Sequence, residues 1–289
     1  MFDLPFKPPV QPLHHPLYEA HGVKVFIQRE DYLHPFISGN KWRKLKYVFR
    51  DLVATQKKHA VSFGGAYSNH LVALACAGAM YGIKTTAFVR GEEVNNAVLN
   101  LCKWYGMHLY FVSRETYRDK RALYQTVAND ETYFIDEGGK GDLAVLGCEE
   151  ILEDVSDVTH VLCAVGTGTT LSGIAKAAQL KNITAEGICV LKGAEVMDDE
   201  VATMAGYQVH IHHQFHVGGY AKTTPEYLQF IQQYAAQTGI LFDQVYTGKM
   251  LWAVHHLIES GYYAKGSKLL LIHSGGLLGM MSLFHSSST

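Results

Sequence analysis

The sequence lacks the features that mark membrane, secreted and nucleic-acid-binding proteins. No apolar run among its 289 residues reaches the roughly 18 residues that a membrane-spanning helix needs. The first residues also lack the basic stretch followed by an apolar one that makes a secretory signal. Because 25 basic and 27 acidic residues give a net charge of −2, no excess of positive charge favours nucleic acid or an anionic membrane. We therefore expect a cytoplasmic protein that binds neither.

Cysteine and proline are both scarce. The five cysteines form no C-x-x-C pair, their odd number leaves one unpaired in any disulfide scheme, and they lie in apolar runs such as HVLCAV. Buried free thiols in a reducing compartment are therefore expected. Five of the seven prolines fall within the first sixteen residues. This segment is predicted to be an extended arm, since so many prolines disfavour both a helix and a central strand.

The rest of the chain alternates between short apolar, β-branched segments and segments with helical spacing. Helical spacing is clearest in KWRKLKYVFRDLVATQ, SNHLVALACAGAMYG and PEYLQFIQQYAAQTG. The predicted strands are VKVFIQ, HAVSF, IKTTAFV, MHLYFV, TYFID, HVLCAV, AEGICVL, YQVHI and KLLLIHS. Strands without polar alternation suit a parallel sheet that is buried on both faces. The pattern predicts an α/β protein with two open parallel-sheet α/β domains around one crevice: a small domain of residues 45–125 and a large domain of residues 1–44 and 126–289.

Glycine-rich turns follow several of these strands, where ligands bind in open parallel sheets. The most informative is AVGTGTTLSG, in which Gly166 to Thr170 lead from a strand into a helix. Glycines, hydroxyls and a helix N-terminus together favour a phosphate site. A tight turn with a threonine cap is the alternative reading of this segment.

Two further segments contain residues suited to chemistry. In ISGNKWRKLKY, Lys41 stands at a predicted helix start near other cations, which favours the neutral amine that a Schiff-base lysine requires. A basic, solvated helix face is the alternative, and this segment alone does not decide between the two. In SFGGAYSNHLVALA, Ser68 and Asn69 stand at the start of an apolar helix, where helix capping would also explain them.

The segments SGNKWRKLKY, GGAYSNH, GTGT, VYTGK and HSGG, in this order, resemble the 1-aminocyclopropane-1-carboxylate (ACC) deaminase and D-cysteine desulfhydrase family. That family belongs to the tryptophan synthase β-like, fold type II group of pyridoxal-phosphate enzymes. The resemblance runs from about residue 20 to residue 280. It implies a fold type II enzyme, usually a homodimer, with pyridoxal 5'-phosphate in the crevice between two domains and a small amino acid as substrate.

The resemblance also implies roles for individual residues. Lys41 would hold the cofactor as an imine and, once released by the substrate, act as the base at Cα. Ser68 and the amides of Asn69 and His70 would receive the substrate carboxylate, and Tyr246 would be an acid/base or orienting group. The remaining cofactor contacts would come from Lys44, Asn69, Gly166, Thr167, Gly168, Thr169, Thr170, Thr247 and Ser274.

Two positions favour the desulfhydrase side of the family. ACC deaminases have Glu after the tyrosine and an apolar residue in place of Ser274, whereas this sequence has Thr247 and Ser274. The resemblance implies that Ser274 lies near the pyridine nitrogen of the cofactor. A hydroxyl cannot keep this nitrogen protonated as a carboxylate would, so the cofactor ring is a weaker electron sink and suits elimination of a β leaving group. We therefore expect a lyase that converts D-cysteine to pyruvate, sulfide and ammonia. ACC deaminase is the first alternative, and a catalytically silent member that only binds the cofactor or an amino acid is the second.

Histidine is plentiful, and His210, His212, His213 and His216 invite a metal interpretation. No cysteine or acid within this segment completes a ligand set, and the resemblance requires no catalytic metal. We predict no metal site.

Overall fold

The computed structural model describes Asp3 and residues 6–284. The described residues form ten strands: β1 Val10–Leu13, β2 Lys24–Gln28, β3 His59–Gly64, β4 Lys84–Arg90, β5 His108–Val112, β6 Thr132–Phe134, β7 His160–Val165, β8 Thr184–Cys189, β9 His210–His212 and β10 Lys268–Ile272. The α-helices of the same residues are α1 Pro16–Ala20, α2 Asn40–Ala54, α3 Asn69–Tyr81, α4 Ala97–Trp104, α5 Lys120–Gln125, α6 Asp142–Glu149, α7 Thr169–Leu180, α8 Val196–Ala205, α9 Pro225–Thr238, α10 Thr247–Glu259 and α11 Met281–Phe284.

The strands make two sheets. The first has six strands in the order β1-β2-β10-β7-β8-β9, and the second has four in the order β5-β4-β3-β6. β1 pairs antiparallel with β2, and the other pairings are parallel. The nine strands predicted from the sequence correspond to β2 to β10, and the three clearest helical patterns correspond to α2, α3 and α9. The predicted α/β fold with parallel sheets is confirmed.

The N-terminal segment is more regular than predicted. β1 is an edge strand, where Pro12 is tolerated, but α1 contradicts the prediction that this segment contains no helix. Pro16 is the first residue of α1, where a helix needs no N–H and the fixed φ of proline is favourable. The arm prediction overlooked this exception. Pro5 lies outside the described residues.

Helices cover both faces of the six-stranded sheet. Residues of α6, α7 and α8 form one buried apolar cluster with the sheet, and residues of α1, α9 and α10 form another. All five cysteines are buried and free, as predicted. No helix within residues 6–284 is both long and apolar enough to cross a membrane.

The four-stranded sheet has its own apolar core, which it shares with α2, α3 and α4. The predicted domain boundaries at residues 45 and 125 remain a prediction, and β6, which lies beyond residue 125, pairs with β3 of this sheet.

Two glycines allow close contacts of α6, with α2 on one side and with α7 on the other. A Cβ on Gly147 of α6 would lie 2.0 Å from the Arg43 carbonyl oxygen of α2, and one on Gly173 of α7 would lie 2.5 Å from Cβ of Cys148 in α6. A buried bidentate ion pair adds to this contact, since Arg43 donates to both carboxylate oxygens of Glu30 at 2.9 Å. The start of α2 is thereby fixed against the first sheet.

Candidate active site

The start of α2 is fixed by a turn that only glycine can make. Gly39 has φ of +60°, and a Cβ there would lie 1.9 Å from the Ser274 carbonyl oxygen. The backbone N–H of Asn40 donates to this same oxygen at 3.3 Å. Lys41 therefore stands beside the loop that follows β10, at the carboxyl ends of the first sheet's strands.

The Lys41 amine is held in a form suited to nucleophilic chemistry. Burial lowers its pKa well below the usual lysine value, and the nearby Lys44 cation lowers it further. Within residues 6–284 no group forms a hydrogen bond with this amine, so it is free to react. A neutral, unengaged amine is what an imine-forming lysine requires.

Lys44 lies one helical turn further along α2 and is almost fully buried. Its Nζ donates to the Gly138 carbonyl oxygen at 3.1 Å and approaches Thr167 Oγ1 at 3.5 Å. Lys44 thus joins the loop after β6 to the loop after β7. The two lysines differ in that Lys44 is anchored at the loop predicted to hold phosphate.

The loop from Gly166 to Thr170 carries the features of an anion site. Gly168 has φ of +74° and leads into α7, which begins without a side-chain cap. The N–H groups of its first turn are therefore left for a ligand. Thr170 Oγ1 accepts a hydrogen bond from Asn40 Nδ2 at 2.8 Å, which ties the loop to the start of α2.

The start of α3 contributes Ser68, Asn69 and His70. Ser68 Oγ accepts a hydrogen bond from the N–H of Leu71 at 3.3 Å, so the capping role considered from the sequence is present. Asn69 Nδ2 lies 3.6 Å from the position that a Cβ on Gly276 would take. Asn69 therefore reaches the loop after β10, near Ser274.

The His70 side chain enters the site, whereas only its backbone amide was assigned a role from the sequence. Its Nε2 bonds with Ser62 Oγ at 2.8 Å, and its buried Nδ1 has no partner among the described residues. Burial lowers the pKa of His70 well below its ordinary value, and the cations of Lys41 and Lys44 add to this effect. The ring is therefore neutral and faces the two lysines.

Tyr246 is the residue just before α10 and packs against the loop after β7. A Cβ on Gly166 would be 3.0 Å from Tyr246 Cε1, so the absence of a side chain at Gly166 makes room for the tyrosine ring. The Tyr246 hydroxyl donates to the Tyr220 hydroxyl at 3.5 Å. Burial raises the pKa of Tyr246 well above its usual value, with Tyr220 adding to the effect, so the phenol keeps its proton. No role was predicted for Tyr220, although the glycines of HVGGYAK could have indicated it.

Thr247 and Ser274 have different surroundings. The Thr247 hydroxyl donates to Asp243 Oδ1 at 2.7 Å, and Asp243 also accepts backbone N–H groups of Val245 and Tyr246 at 2.9 and 2.8 Å. Asp243 therefore caps α10 and holds the Thr247 hydroxyl. The sequence signal for it was an acid just before a helix start. Ser274 contacts α2 through its carbonyl oxygen, as described above.

The histidine-rich segment lies outside this site. His212 Nε2 pairs with Glu186 Oε2 at 2.6 Å, and His213 Nε2 pairs with Asp198 Oδ1 at 2.9 Å. Nowhere in the described part of the chain do three or more His, Cys, Asp or Glu residues form a group suited to a metal ion.

Loops of both sheets thus bring together a lysine with a lowered pKa, a second, buried lysine, an uncapped helix start and a phenol that keeps its proton. A family model described as "Pyridoxal-phosphate dependent enzyme" matches residues 6–275. The chain belongs to this family. The predicted resemblance to pyridoxal-phosphate enzymes and the predicted pyridoxal phosphate cofactor are therefore confirmed.

Within this family, the chain is similar to proteins named for ACC deaminase and D-cysteine desulfhydrase activity. The chain is 27% identical to a protein of Pyrococcus horikoshii named "Putative 1-aminocyclopropane-1-carboxylate deaminase", over 96% of this chain and 91% of the relative. It is also 27% identical to the mitochondrial bifunctional D-cysteine desulfhydrase/1-aminocyclopropane-1-carboxylate deaminase of Arabidopsis thaliana, over 90% of this chain and 74% of the relative. The solved structure of an ACC deaminase homologue superposes with a TM-score of 0.82 at 26% identity, covering 96% of this chain and 91% of the other.

The donors in the crevice fit pyridoxal phosphate. The uncapped first turn of α7 and the Lys44 amine can bind an anionic phosphate, and Lys41 supplies the reactive amine. When bound, the cofactor supplies an electron sink for bonds broken at the substrate Cα.

Proposed function

We propose that this enzyme is a carbon–sulfur lyase that converts D-cysteine and water to pyruvate, hydrogen sulfide and ammonia. The observation that carries the proposal is that Lys41 and Tyr246 both lie at the Gly166–Thr170 loop: Asn40, next to Lys41, donates to Thr170, and the Tyr246 ring packs on Gly166. Burial lowers the pKa of Lys41 and raises that of Tyr246. One group is ready to accept a proton, and the other is ready to donate one. The choice of D-cysteine depends on Thr247 and Ser274, and the name of the Arabidopsis relative includes this activity.

In this proposal each residue has a defined task. Lys41 holds the cofactor covalently and, when the substrate amine replaces it, takes the Cα proton. Tyr246 orients the substrate and can donate a proton to the leaving sulfur. Ser68 and the amides at the start of α3 receive the substrate carboxylate.

The phosphate is held by Lys44 and the loop from Gly166 to Thr170. Asn69 and Ser274 would bind the ring of the cofactor, since both lie at the loop after β10. Thr247 contributes less directly than the sequence suggested, because its hydroxyl is bonded to Asp243.

ACC deaminase activity is the second candidate, and the names of the Pyrococcus and Arabidopsis relatives favour it. This reaction would open the cyclopropane ring and give a four-carbon keto acid and ammonia without sulfide. The absence of a carboxylate at position 247 is the observation against it, since Thr247 stands where the deaminases carry Glu.

A substrate panel tests the proposal. The holoenzyme is incubated with D-cysteine, L-cysteine, D-serine, β-chloro-D-alanine and ACC, while keto acid and sulfide are both quantified. We expect pyruvate and sulfide in equal amounts from D-cysteine and none from the Lys41→Ala variant. A four-carbon keto acid from ACC at a higher kcat/KM would establish the deaminase instead. Binding of cofactor without turnover of any substrate would establish the silent member.

A homodimer and a cytoplasmic location also remain proposals. Sedimentation velocity of the holoenzyme tests the first, and a mass of one chain, 32.1 kDa, would contradict it. Cell fractionation tests the second.

A further inference from the structure

The loop between β9 and α9 has an unusual backbone. Four of the five residues from Val217 to Ala221 have positive φ, and two of these are not glycine: Val217 at +51° and Ala221 at +54°. A β-branched residue rarely adopts this conformation. Such a conformation persists only where the surrounding structure holds it.

Lys249 of α10 anchors this loop by a hydrogen bond. Its side chain is fully buried, and its Nζ donates to the Gly219 carbonyl oxygen at 2.6 Å. The same oxygen also accepts the backbone N–H of Lys222 at 3.1 Å. Burial lowers the pKa of Lys249 to about 8, while the carboxylate of Asp243 opposes this shift. None of the predicted roles uses this buried amine.

Tyr220, the residue after Gly219, connects this loop to the active site through Tyr246. Its ring meets that of Tyr246 edge to face, with the centroids 6.0 Å apart, and its hydroxyl accepts the hydrogen bond from Tyr246. Tyr220 is itself half exposed, so its own burial cannot fix its position. The anchored Gly219 carbonyl, directly before Tyr220, therefore restrains the position of this residue.

We propose that Lys249 is a positioning residue, which holds the Val217–Ala221 loop so that Tyr220 orients the Tyr246 hydroxyl toward the substrate. This inference rests on the proposed function of Tyr246. Lys249 lies in the first turn of α10, and Tyr246 is the N-cap residue just before this helix. The same helix start therefore holds Tyr246 through the backbone and the loop through Lys249.

A double-mutant cycle tests the coupling. Lys249→Met, Tyr220→Phe and the double variant are compared as holoenzymes with D-cysteine. We expect each single change to lower kcat about three- to tenfold with a smaller effect on KM. Tyr220→Phe removes the acceptor of the Tyr246 hydroxyl, and Lys249→Met removes the bond that holds this acceptor in place. In the Tyr220→Phe background, Lys249→Met should lower kcat by less than a further twofold. Equal losses in both backgrounds, or no loss in the wild-type background, would overturn the proposal.

The exposed Lys192 provides a matched control. Its Cβ lies 3.4 Å from the position that a Cβ on Gly219 would take, yet its amine does not bond the loop carbonyl. Lys192→Met should change kcat less than twofold. If Lys249→Met does not yield folded holoenzyme, Lys249→Gln replaces it in the same double-mutant cycle. Because Gln keeps an N–H donor, a smaller loss of kcat is expected.

Hydrogen exchange separates this inference from the proposed reaction. Amides of the segment 216–222 should exchange at least tenfold faster in Lys249→Met than in the wild type, and unchanged exchange there would exclude the anchor. If the substrate panel shows no turnover, the proposed function fails, whereas the exchange result still decides whether Lys249 holds the loop.

Discussion

At the scale of single residues, the site separates two lysines one helical turn apart. Lys41 is partly buried, and Lys44 is almost fully buried. Lys44 is bonded to Gly138 and approaches Thr167, whereas no described group bonds the Lys41 amine. The sequence alone does not establish which of the two amines is bonded. Lys41 and Lys44 are three residues apart, so both side chains lie on the same side of α2. The contacts of Lys44 come from loops distant in the chain.

This difference predicts which lysine forms the imine. Borohydride reduction of the holoenzyme followed by peptide mapping should label Lys41 and leave Lys44 unmodified. Lys44→Met should keep the imine absorbance but weaken pyridoxal phosphate binding by about tenfold or more, since a charged hydrogen bond is worth about 1.5–3 kcal/mol. A label on Lys44, or loss of the imine in Lys44→Met alone, would reverse the assignment.

The buried amine of Lys249 predicts a pH dependence of stability. Burial lowers its pKa from the ordinary lysine value of 10.5 to about 8 in the folded protein. Between these values the unfolded chain binds more protons, so the contribution of Lys249 to stability rises with pH from about 8 to 10.5. The free energy of unfolding of the wild type relative to Lys249→Met should therefore increase over this window, as measured by urea titration. A constant or falling difference would show that the pKa of the amine is not depressed.

At the scale of elements, the strands were the most predictable part of the fold. Apolar, β-branched segments such as HVLCAV identified nine strands, because burial on both faces of a parallel sheet leaves a continuous apolar pattern. The abundance of proline does not predict α1, because Pro16 is favourable only at the first position of a helix, where it stands. The close contacts at Gly147 and Gly173 have no sequence signal, since they depend on which helices meet.

The residues of the site also divide into those that the sequence indicates and those that depend on the fold. Lys41, Ser68 and the Gly166–Thr170 loop stand at strand-to-helix turns, which the glycine pattern indicates. Asp243, Tyr220 and the His70 ring act through contacts between distant segments, so their positions emerge only from the fold.

The turn at the start of α2 gives a prediction at this scale. Gly39→Ala places a Cβ within 1.9 Å of the Ser274 carbonyl oxygen and 2.6 Å of the Gly275 nitrogen, both backbone atoms. We expect the first turn of α2 to move, so the variant should bind pyridoxal phosphate at least tenfold more weakly and lose more than about 2 kcal/mol of stability, beyond the roughly 1–2 kcal/mol of a left-handed non-glycine residue.

Gly82 offers a matched control for this change. It ends α3 with φ of +68°, and a Cβ there meets no atom within 4 Å. Gly82→Ala should therefore show the left-handed cost alone, with normal cofactor binding. Equal effects of the two substitutions in cofactor titration and urea unfolding would mean that the contact with the β10 loop is unimportant.

At the scale of the whole molecule, the site is where the two sheets meet. Lys44 connects the loop after β6 to the loop after β7, Gly39 packs on the loop after β10, and Asn69 reaches the same loop from α3. Each sheet has its own apolar core away from these contacts. The contacts of Lys44 and Asn69 between the sheets therefore lie around the volume that the cofactor would fill, while others, such as the Arg43–Glu30 ion pair, support the same approach.

This arrangement predicts that the cofactor stabilises the approach of the sheets more than either core. Free pyridoxal phosphate at about 100 times its Kd should raise the free energy of unfolding by about 2.7 kcal/mol over the apoenzyme. Hydrogen exchange should slow mainly at the Gly138–Gly139 segment and the first turn of α2, because these connect the sheets across the site, while β3 and β7 amides change little. Lys41→Ala, which cannot form the imine, should show the same pattern at a higher cofactor concentration. Uniform protection of both cores, or protection confined to one sheet, would show that the cofactor does not act as a bridge between them.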